Sequence, residues 1–83
     1  MPKQQAGDRR RLSQLGAAVR EARSDAGLSQ EAAGHQAGLD RTYISGLERG
    51  RRNPTVVTLW RIAEALGTTP SALLAYAEAR RAV

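Results

Sequence analysis

Apolar residues recur along most of this chain at steps of three and four residues, the spacing of helices with one buried face. The first such run consists of Leu12, Leu15, Val19 and Ala22. Gly27 predicts the end of this helix, because glycine adopts the left-handed conformation that closes many helices. No segment alternates between apolar and polar residues with period two, so the pattern predicts no β-strand.

Helix-capping residues predict two short helices after Gly27. Ser29 predicts the start of a second helix over about residues 30–36, which stops at Gly38. Asp40 predicts the start of a third helix, which runs to about residue 49 and ends at Gly50.

A loop and two more helices complete the pattern. Residues 51–54 are predicted to be a loop, because the proline at position 54 pushes Asn53 toward an extended backbone. Thr55 and Thr69 predict the starts of a fourth and a fifth helix, and Pro70 suits the first turn of the fifth. The apolar residues of the fourth helix are Val56, Leu59, Ile62, Ala63 and Leu66, and those of the fifth are Leu73, Leu74, Tyr76 and Ala77.

We therefore predict an all-α fold of five helices in one domain, since 83 residues are few even for a single domain. Residues 1–11 are predicted to be a flexible basic tail. They include Arg9–Arg11 but have almost no apolar side chain to offset the entropy of ordering. The ordered domain is expected over 12–79, followed by a frayed C-terminus at 80–83.

The charge of the chain favours a nucleic acid as partner. Lys and Arg number 13 against 8 Asp and Glu, and all but one of these cations are arginine. The guanidinium group matches phosphates and guanine edges; a charged surface for solubility is the alternative. The chain has no cysteine, and His35 is its only histidine, so we expect no metal and no cofactor. No His–Asp pair stands ready to activate Ser29 or Ser45, so we expect no enzyme.

The segment from Gln30 to Glu48 has helix-turn-helix spacing, because two short helices are joined by about four residues that include Gly38. Helices joined this tightly need small residues where they touch. A glycine inside a helix costs about 1 kcal/mol relative to alanine, so a close contact is the expected reason for Gly34. The small residues of the first of these helices are Ala33, Gly34 and Ala37.

Several spaced motifs occur together in the chain: Gly27-Leu28-Ser29-Gln30-Glu31, Ala37-Gly38-Leu39, Tyr43-Ile44-Ser45, Leu47-Glu48-Arg49-Gly50 and Asn53-Pro54-Thr55. With these motifs the chain resembles the helix-turn-helix proteins of the Cro and phage-repressor type, the XRE-like family, over about residues 12–75. The resemblance implies a compact five-helix, λ-repressor-like DNA-binding domain. Residues 40–49 are also similar to the recognition helix of restriction–modification controller proteins.

A recognition helix enters the major groove of DNA with its N-terminal residues facing the bases. Because Ile44 and Leu47 are expected to point into the core, Arg41, Thr42 and Ser45 are predicted to face outward and to contact bases. The guanidinium of Arg41 can bond both acceptors of a guanine, which is worth about 1–3 kcal/mol of discrimination. An exposed polar helix face without DNA contacts is the alternative.

Contacts to the DNA backbone are predicted around this helix. The resemblance implies that Gln30 contacts a phosphate and braces the recognition helix, whereas a plain surface glutamine is the alternative. The ring of Tyr43 is predicted to lie along the DNA backbone, or else to belong to the half-buried core. The residues after the helix are predicted to bind phosphates, with a solvated loop as the alternative, and they are Arg49, Arg51, Arg52 and Asn53. Arg52 could also reach a base.

The resemblance also implies an ion pair between Glu48 and Arg23 that fixes the recognition helix against the first helix. One such domain contacts only a few base pairs, so we expect a two-fold dimer on a palindromic operator. Trp60 and Tyr76 belong either to the dimer interface or to the core. The full set of residues predicted for the dimer interface is Trp60, Leu73, Leu74 and Tyr76.

The leading prediction for function is a sequence-specific, DNA-binding transcriptional regulator that acts as a homodimer, in the role of a restriction–modification controller. An antitoxin or prophage repressor comes second, and a helix-turn-helix module used only for protein contacts comes third. The expected partners are double-stranded DNA and a second copy of the chain, with RNA polymerase or a toxin as further candidates and no membrane. The expected location is the cytoplasm, at the nucleoid, for a protein of bacterial or phage origin.

Overall fold

The computed structural model describes residues 5–80, which form five α-helices and no strand. The predicted all-α, five-helix fold is thereby confirmed. The helices are α1 (Ala6–Asp25), α2 (Gln30–Ala37), α3 (Arg41–Glu48), α4 (Val56–Ala65) and α5 (Pro70–Ala79).

Three of the predicted helix caps are formed by side chains. The hydroxyl oxygen of Ser29 accepts the backbone N–H of Ala32 at 3.0 Å, at the start of α2. The hydroxyls of Thr55 and Thr69 accept equivalent N–H groups at 3.0 and 3.1 Å, at the starts of α4 and α5. Asp40 stands at the predicted cap position of α3, but its side chain makes no capping hydrogen bond.

The turn between α2 and α3 depends on two glycines. Gly38 has a φ of 73°, a left-handed conformation that most side chains disfavour. Gly34 lies under this turn, where a Cβ atom would stand 2.5 Å from the carbonyl oxygen of Leu39. The close contact predicted for Gly34 is therefore confirmed, and the partner is the backbone of the turn.

The first helix starts earlier than predicted. The tail prediction is wrong for residues 6–11, which are helical, while residues 1–4 lie outside the described part of the chain. The carboxylate of Asp8 accepts the backbone N–H of Gln5 at 2.7 Å and so closes the first turn. It also pairs with Arg11 at 3.1 Å. Extending an existing helix needs no new nucleation, because each added residue brings a hydrogen bond that offsets its ordering entropy, so apolar content was a poor guide here.

All five helices contribute buried apolar residues to the core. Helix α1 packs against α3 on one side and α5 on another, while α2 packs against α3 and α4. The C-terminal end of α5 is tied to α1, because the side-chain amide of Gln14 donates to the carbonyl oxygen of Arg80 at 2.6 Å. The largest side chains buried to 1% exposure or less are Val19, Ile44, Leu47 and Ile62.

Of two predictions about the end of the chain, one is wrong and the other falls mostly outside the described residues. Val56 was placed on the apolar side of the fourth helix, but its side chain is 69% exposed. It stands at the first residue of α4, before that helix meets the core. The frayed end predicted at 80–83 falls largely on residues 81–83, which lie outside the described part. No helix within residues 5–80 is both long and apolar enough to cross a membrane.

Candidate nucleic-acid interface

Helix α3 has one buried face and one polar face. Ile44 and Leu47 are 1% and 0% exposed, and they point into the core. On the other face, the side chains of Arg41 and Thr42 are exposed and that of Ser45 is partly exposed. The three residues predicted to contact bases therefore share the accessible face of α3.

The buried side of α3 lies directly on the backbone of α1. At Gly16 of α1, a Cβ atom would stand 2.3 Å from the carbonyl oxygen of Leu47 and 2.6 Å from that of Glu48. One turn earlier, Ser13 lies against Gly50, where a Cβ atom would be 2.7 Å from the Ser13 hydroxyl oxygen. No side chain separates the two elements at these points, so the position of α3 on α1 is fixed closely.

An ion pair secures the C-terminal end of α3. Arg23 Nε donates to Glu48 Oε2 at 2.6 Å, and a second guanidinium nitrogen donates to Oε1 at 3.1 Å. The side chain of Glu48 is only 3% exposed, and that of Arg23 is 16% exposed. The hydrogen bond to Glu48 raises the pKa of Arg23 above its ordinary value, against the opposing effect of burial. Arg23 also donates to the carbonyl oxygen of Leu28 at 2.8 Å, which ties in the segment before α2.

Gln30 joins this network from the start of α2. Its side-chain amide donates to Glu48 Oε1 at 3.0 Å. One carboxylate thus receives hydrogen bonds from α1 and α2 while it belongs to α3. This geometry supports the bracing part of the role that the resemblance implied for Gln30. The phosphate contact predicted for Gln30 stays a prediction.

Tyr43 and Arg52 form a contact that sequence analysis did not foresee. The guanidinium carbon of Arg52 lies 5.6 Å from the centre of the Tyr43 ring, within the range of a cation–π interaction. The ring is partly buried. Burial raises the pKa of the Tyr43 hydroxyl, and the positive charge of Arg52 opposes that rise. The contact folds the loop after α3 back onto the helix.

The other predicted phosphate-binding residues surround the end of α3. Arg49, Arg51 and Asn53 all have exposed side chains. Within residues 5–80, the ion pairs present are Arg23 with Glu48 and Arg11 with Asp8, so Arg49 and Arg51 carry unpaired positive charge. The exposed polar face of α3 therefore adjoins a cluster of cations.

The predicted dimer residues divide into two groups. Leu73 is 2% exposed and belongs to the core, so its assignment to a dimer interface is wrong. Leu73 and Leu74 point in different directions because neighbouring helix positions are about 100° apart. Trp60, Leu74 and Tyr76 are 54%, 46% and 38% exposed. Two further exposed apolar residues, Val56 and Val57, lie at the start of α4 and were not among the residues predicted for the dimer interface.

The apolar surface on α4 and α5 is separate from the polar face of α3. Val56, Val57 and Trp60 share one side of α4, since they are three and four residues apart. The two helices that carry this surface pack on each other, whereas α3 packs on α1 and α2. Within the described residues, no group of His, Cys, Asp and Glu could hold a metal ion.

Comparisons with known proteins agree with this geometry. The family model of the helix-turn-helix family HTH_3 matches residues 19–73. The chain is 51% identical over 47 residues to the HTH-type transcriptional regulator y4dJ of Sinorhizobium fredii, a match that covers 57% of this chain and 61% of that protein. The match thus spans less than two thirds of that relative's length.

Several relatives carry the names of control or controller proteins. Control protein C.BamHI of Bacillus amyloliquefaciens is 43% identical over 61 residues, which cover 72% of this chain and 75% of that protein. The crystal structure of the restriction–modification controller protein C.AhdI from Aeromonas hydrophila superposes with a TM-score of 0.73 at 44% identity, over 75% of this chain and 94% of that one. The chain therefore belongs to HTH_3, an XRE-type helix-turn-helix family of DNA-binding regulators, and its homologues include restriction–modification control proteins.

Proposed function

We propose that this protein is a sequence-specific transcriptional regulator that binds a palindromic DNA operator as a homodimer. The observation that carries the proposal is the exposed face of α3: Arg41 and Thr42 project from its N-terminal end, and Arg49 and Arg51, whose charges are unpaired within residues 5–80, follow its C-terminal end. In helix-turn-helix proteins such a face enters the major groove. Arg41, Thr42 and Ser45 would contact bases, while the cations around them would bind phosphates.

The contacts to the DNA backbone follow from the same placement. Gln30 begins α2, Tyr43 lies in the first turn of α3, and the residues Arg49, Arg51, Arg52 and Asn53 follow α3. Contacts of arginine with phosphates set affinity and its dependence on salt, whereas contacts with base edges set the sequence preference. The two groups of residues should therefore respond differently to mutation.

The homodimer is proposed from the exposed apolar surface on α4 and α5. Val56, Val57 and Trp60 are exposed and share one side of α4, and exposed apolar residues grouped in this way on a small domain mark an interaction surface. The partner proposed for this surface is a second copy of the chain. One recognition helix contacts only a few base pairs of DNA, and a second copy would add a second recognition helix. A two-fold dimer would place two copies of α3 about 34 Å apart on successive major grooves. The surface consists of Val56, Val57, Trp60, Leu74 and Tyr76.

The role of a restriction–modification controller is proposed from the relatives. Control proteins C.BamHI, C.MunI and C.SmaI match the chain at 43–50% identity. For a regulator of this kind, the extent of dimerisation sets operator occupancy, so the protein's own concentration would be the signal. We place this activity in the cytoplasm, where the operator lies.

The experiment is a selection of bound duplexes from a random DNA pool, repeated at several salt concentrations. The proposal predicts that a palindromic motif is recovered, with two half-sites about one helical turn apart. The position of that motif in the genome then tests the controller role, because a controller's operator would lie upstream of its own gene and a restriction gene. An operator beside prophage or toxin genes would instead favour a prophage repressor or an antitoxin.

Two outcomes would contradict the proposal. Recovery of no motif, with all binding lost at moderate salt, would show that the cations bind DNA only non-specifically. Recovery of a single half-site, together with a monomeric mass at concentrations that saturate the DNA, would contradict the homodimer while leaving sequence-specific binding intact.

A further inference from the structure

Gly46 occupies an unusual position in the middle of α3. It is buried, although a glycine inside a helix is less favourable than alanine. A Cβ atom at this position would meet three atoms of Arg52 first: Nε at 3.1 Å, Cγ at 3.2 Å and Cδ at 3.7 Å. The nearest neighbours are thus parts of one flexible side chain, not a fixed backbone.

The same side chain continues to Tyr43. The stem of Arg52 crosses α3 at Gly46, and its guanidinium reaches the ring of Tyr43 at 5.6 Å. Tyr43 precedes Gly46 by three residues, so the side chain runs along one turn of the helix toward its N-terminus. Arg41 and Thr42, the exposed residues proposed to contact bases, begin the same helix. The contact therefore holds a loop cation close against the recognition helix.

We propose that Gly46 is a positioning residue: its missing side chain leaves the space in which Arg52 lies across α3 and meets the ring of Tyr43. Arg52 is then held in one arrangement before DNA arrives. The inference rests on the proposed DNA binding. It explains why a glycine stands at position 46, where neither the fold nor the core requires one.

The advantage of this arrangement is a smaller entropy cost on binding. A free arginine loses many rotamers when it is fixed on a phosphate or a base, whereas a side chain already held by Gly46 and Tyr43 loses fewer. The Arg52 charge also stays available, because the cation–π contact uses the face of the guanidinium and leaves its N–H groups at the edge free to donate.

The test is Gly46→Ala, studied by NMR, thermal unfolding and titration of the selected duplex. In the wild type, the Tyr43 ring, 5.6 Å from the Arg52 guanidinium carbon, should shift the Arg52 side-chain protons upfield. The variant should lose this shift and should bind the duplex about three- to tenfold more weakly. Its melting temperature should stay the same or rise, because alanine favours the helix. If Gly46 had only a structural role, Gly46→Ala would not lower the affinity for DNA while the melting temperature stayed the same or rose.

Gly7→Ala is the matched control. Gly7 is also a helical glycine, and its nearest neighbour is likewise the end of an arginine, NH1 of Arg11 at 3.0 Å from the Cβ position. It lies in α1, away from Tyr43 and Arg52. This variant should keep both the Arg52 proton shifts and the affinity of the wild type.

The Arg52→Ala background decides whether the effect acts through Arg52. The inference predicts that Gly46→Ala causes no further loss of affinity when Arg52 is already absent. An equal loss in both backgrounds would overturn it, as would wild-type affinity in Gly46→Ala despite the lost proton shift. A wild-type chain that selects no duplex would instead overturn the proposed function, and the proton shifts would still show whether Gly46 sets the position of Arg52.

Discussion

The two faces of α3 are built in opposite ways. The inner face has almost no freedom, since Ile44 and Leu47 are buried and the carbonyl oxygens of Leu47 and Glu48 lie against Gly16 of α1. The outer face carries exposed polar side chains, and the guanidinium of Arg52 lies over the ring of Tyr43. The same eight residues thus attach the helix to the core on one side and, in the proposed function, contact DNA on the other.

The comparison teaches that stability and recognition should be separable by mutation. A change on the inner face moves the whole helix and costs folding free energy. A change on the outer face should leave the fold intact and, if the proposed function is right, should remove a contact to DNA. Two buried glycines show the contrast most clearly, because a side chain at Gly16 would meet backbone whereas one at Gly46 would meet the flexible Arg52.

The largest effect is expected for Gly16→Ala. The added methyl would stand 2.3 Å from the carbonyl oxygen of Leu47, so α3 would have to move away from α1. Overpacking typically costs about 1–3 kcal/mol, and a clash with backbone at this distance should reach or exceed the upper end of that range. Urea denaturation measures the change. Stability equal to the wild type would contradict the close seating of α3 on α1.

Next in size is Arg23→Ala. The variant leaves the carboxylate of Glu48, whose side chain is 3% exposed, without its cationic partner. Breaking a buried ion pair in this way costs about 3 kcal/mol or more, although the remaining hydrogen bond from Gln30 offsets a part. Denaturation of Arg23→Ala should show this loss, and Arg20→Ala, which removes an exposed arginine of the same helix, should show almost none.

A smaller loss of folding free energy is expected in α5, where two neighbouring leucines should respond differently to truncation. Leu73 is 2% exposed, so Leu73→Ala should cost about 2–3 kcal/mol of folding free energy. Leu74 is 46% exposed, so Leu74→Ala should change the stability of the monomer by only about 0.5 kcal/mol. Sedimentation should instead show weaker self-association for Leu74→Ala. Unchanged self-association would remove Leu74 from the proposed dimer surface.

The smallest effect is expected at the start of α1. Arg9 and Arg10 are exposed and lie one helical turn before Ser13, which contacts Gly50 at the beginning of the arginine-rich loop. Replacing both by alanine should lower the slope of log affinity against log salt by up to about 2, roughly one per phosphate contact. The recovered DNA motif should stay the same. An unchanged slope would show that these arginines do not reach the DNA.

The sequence predicted those features that depend on local chemistry. The caps Ser29, Thr55 and Thr69 and the turn at Gly38 follow from side-chain and backbone preferences, and the structure has them at the predicted positions. The start of α1 was missed because a few polar residues can extend a helix that is already anchored by Leu15 and its neighbours.

Features that depend on packing between distant segments were not predictable. Leu73 and Leu74 look alike in the sequence, and only the placement of α5 on α1 decides which is buried. The contact between Arg52 and Tyr43 depends on the path of the loop after α3, which no local preference determines. The tight approach at Gly16 requires knowledge of where α3 crosses α1. For the candidate site, sequence reasoning named the exposed residues but not the contacts that hold them.

The most direct test of this account is the operator affinity and unfolding free energy of Arg41→Ala, measured side by side with Arg61→Ala. Both variants remove one exposed arginine, but Arg61 lies on α4 rather than on the outer face of α3. We predict that Arg41→Ala loses about 1–3 kcal/mol of binding to the selected duplex. Its stability should stay within about 0.5 kcal/mol of the wild type, and Arg61→Ala should bind as the wild type does. Equal affinity of Arg41→Ala and the wild type for that duplex would contradict the assignment of the outer face of α3 to DNA recognition.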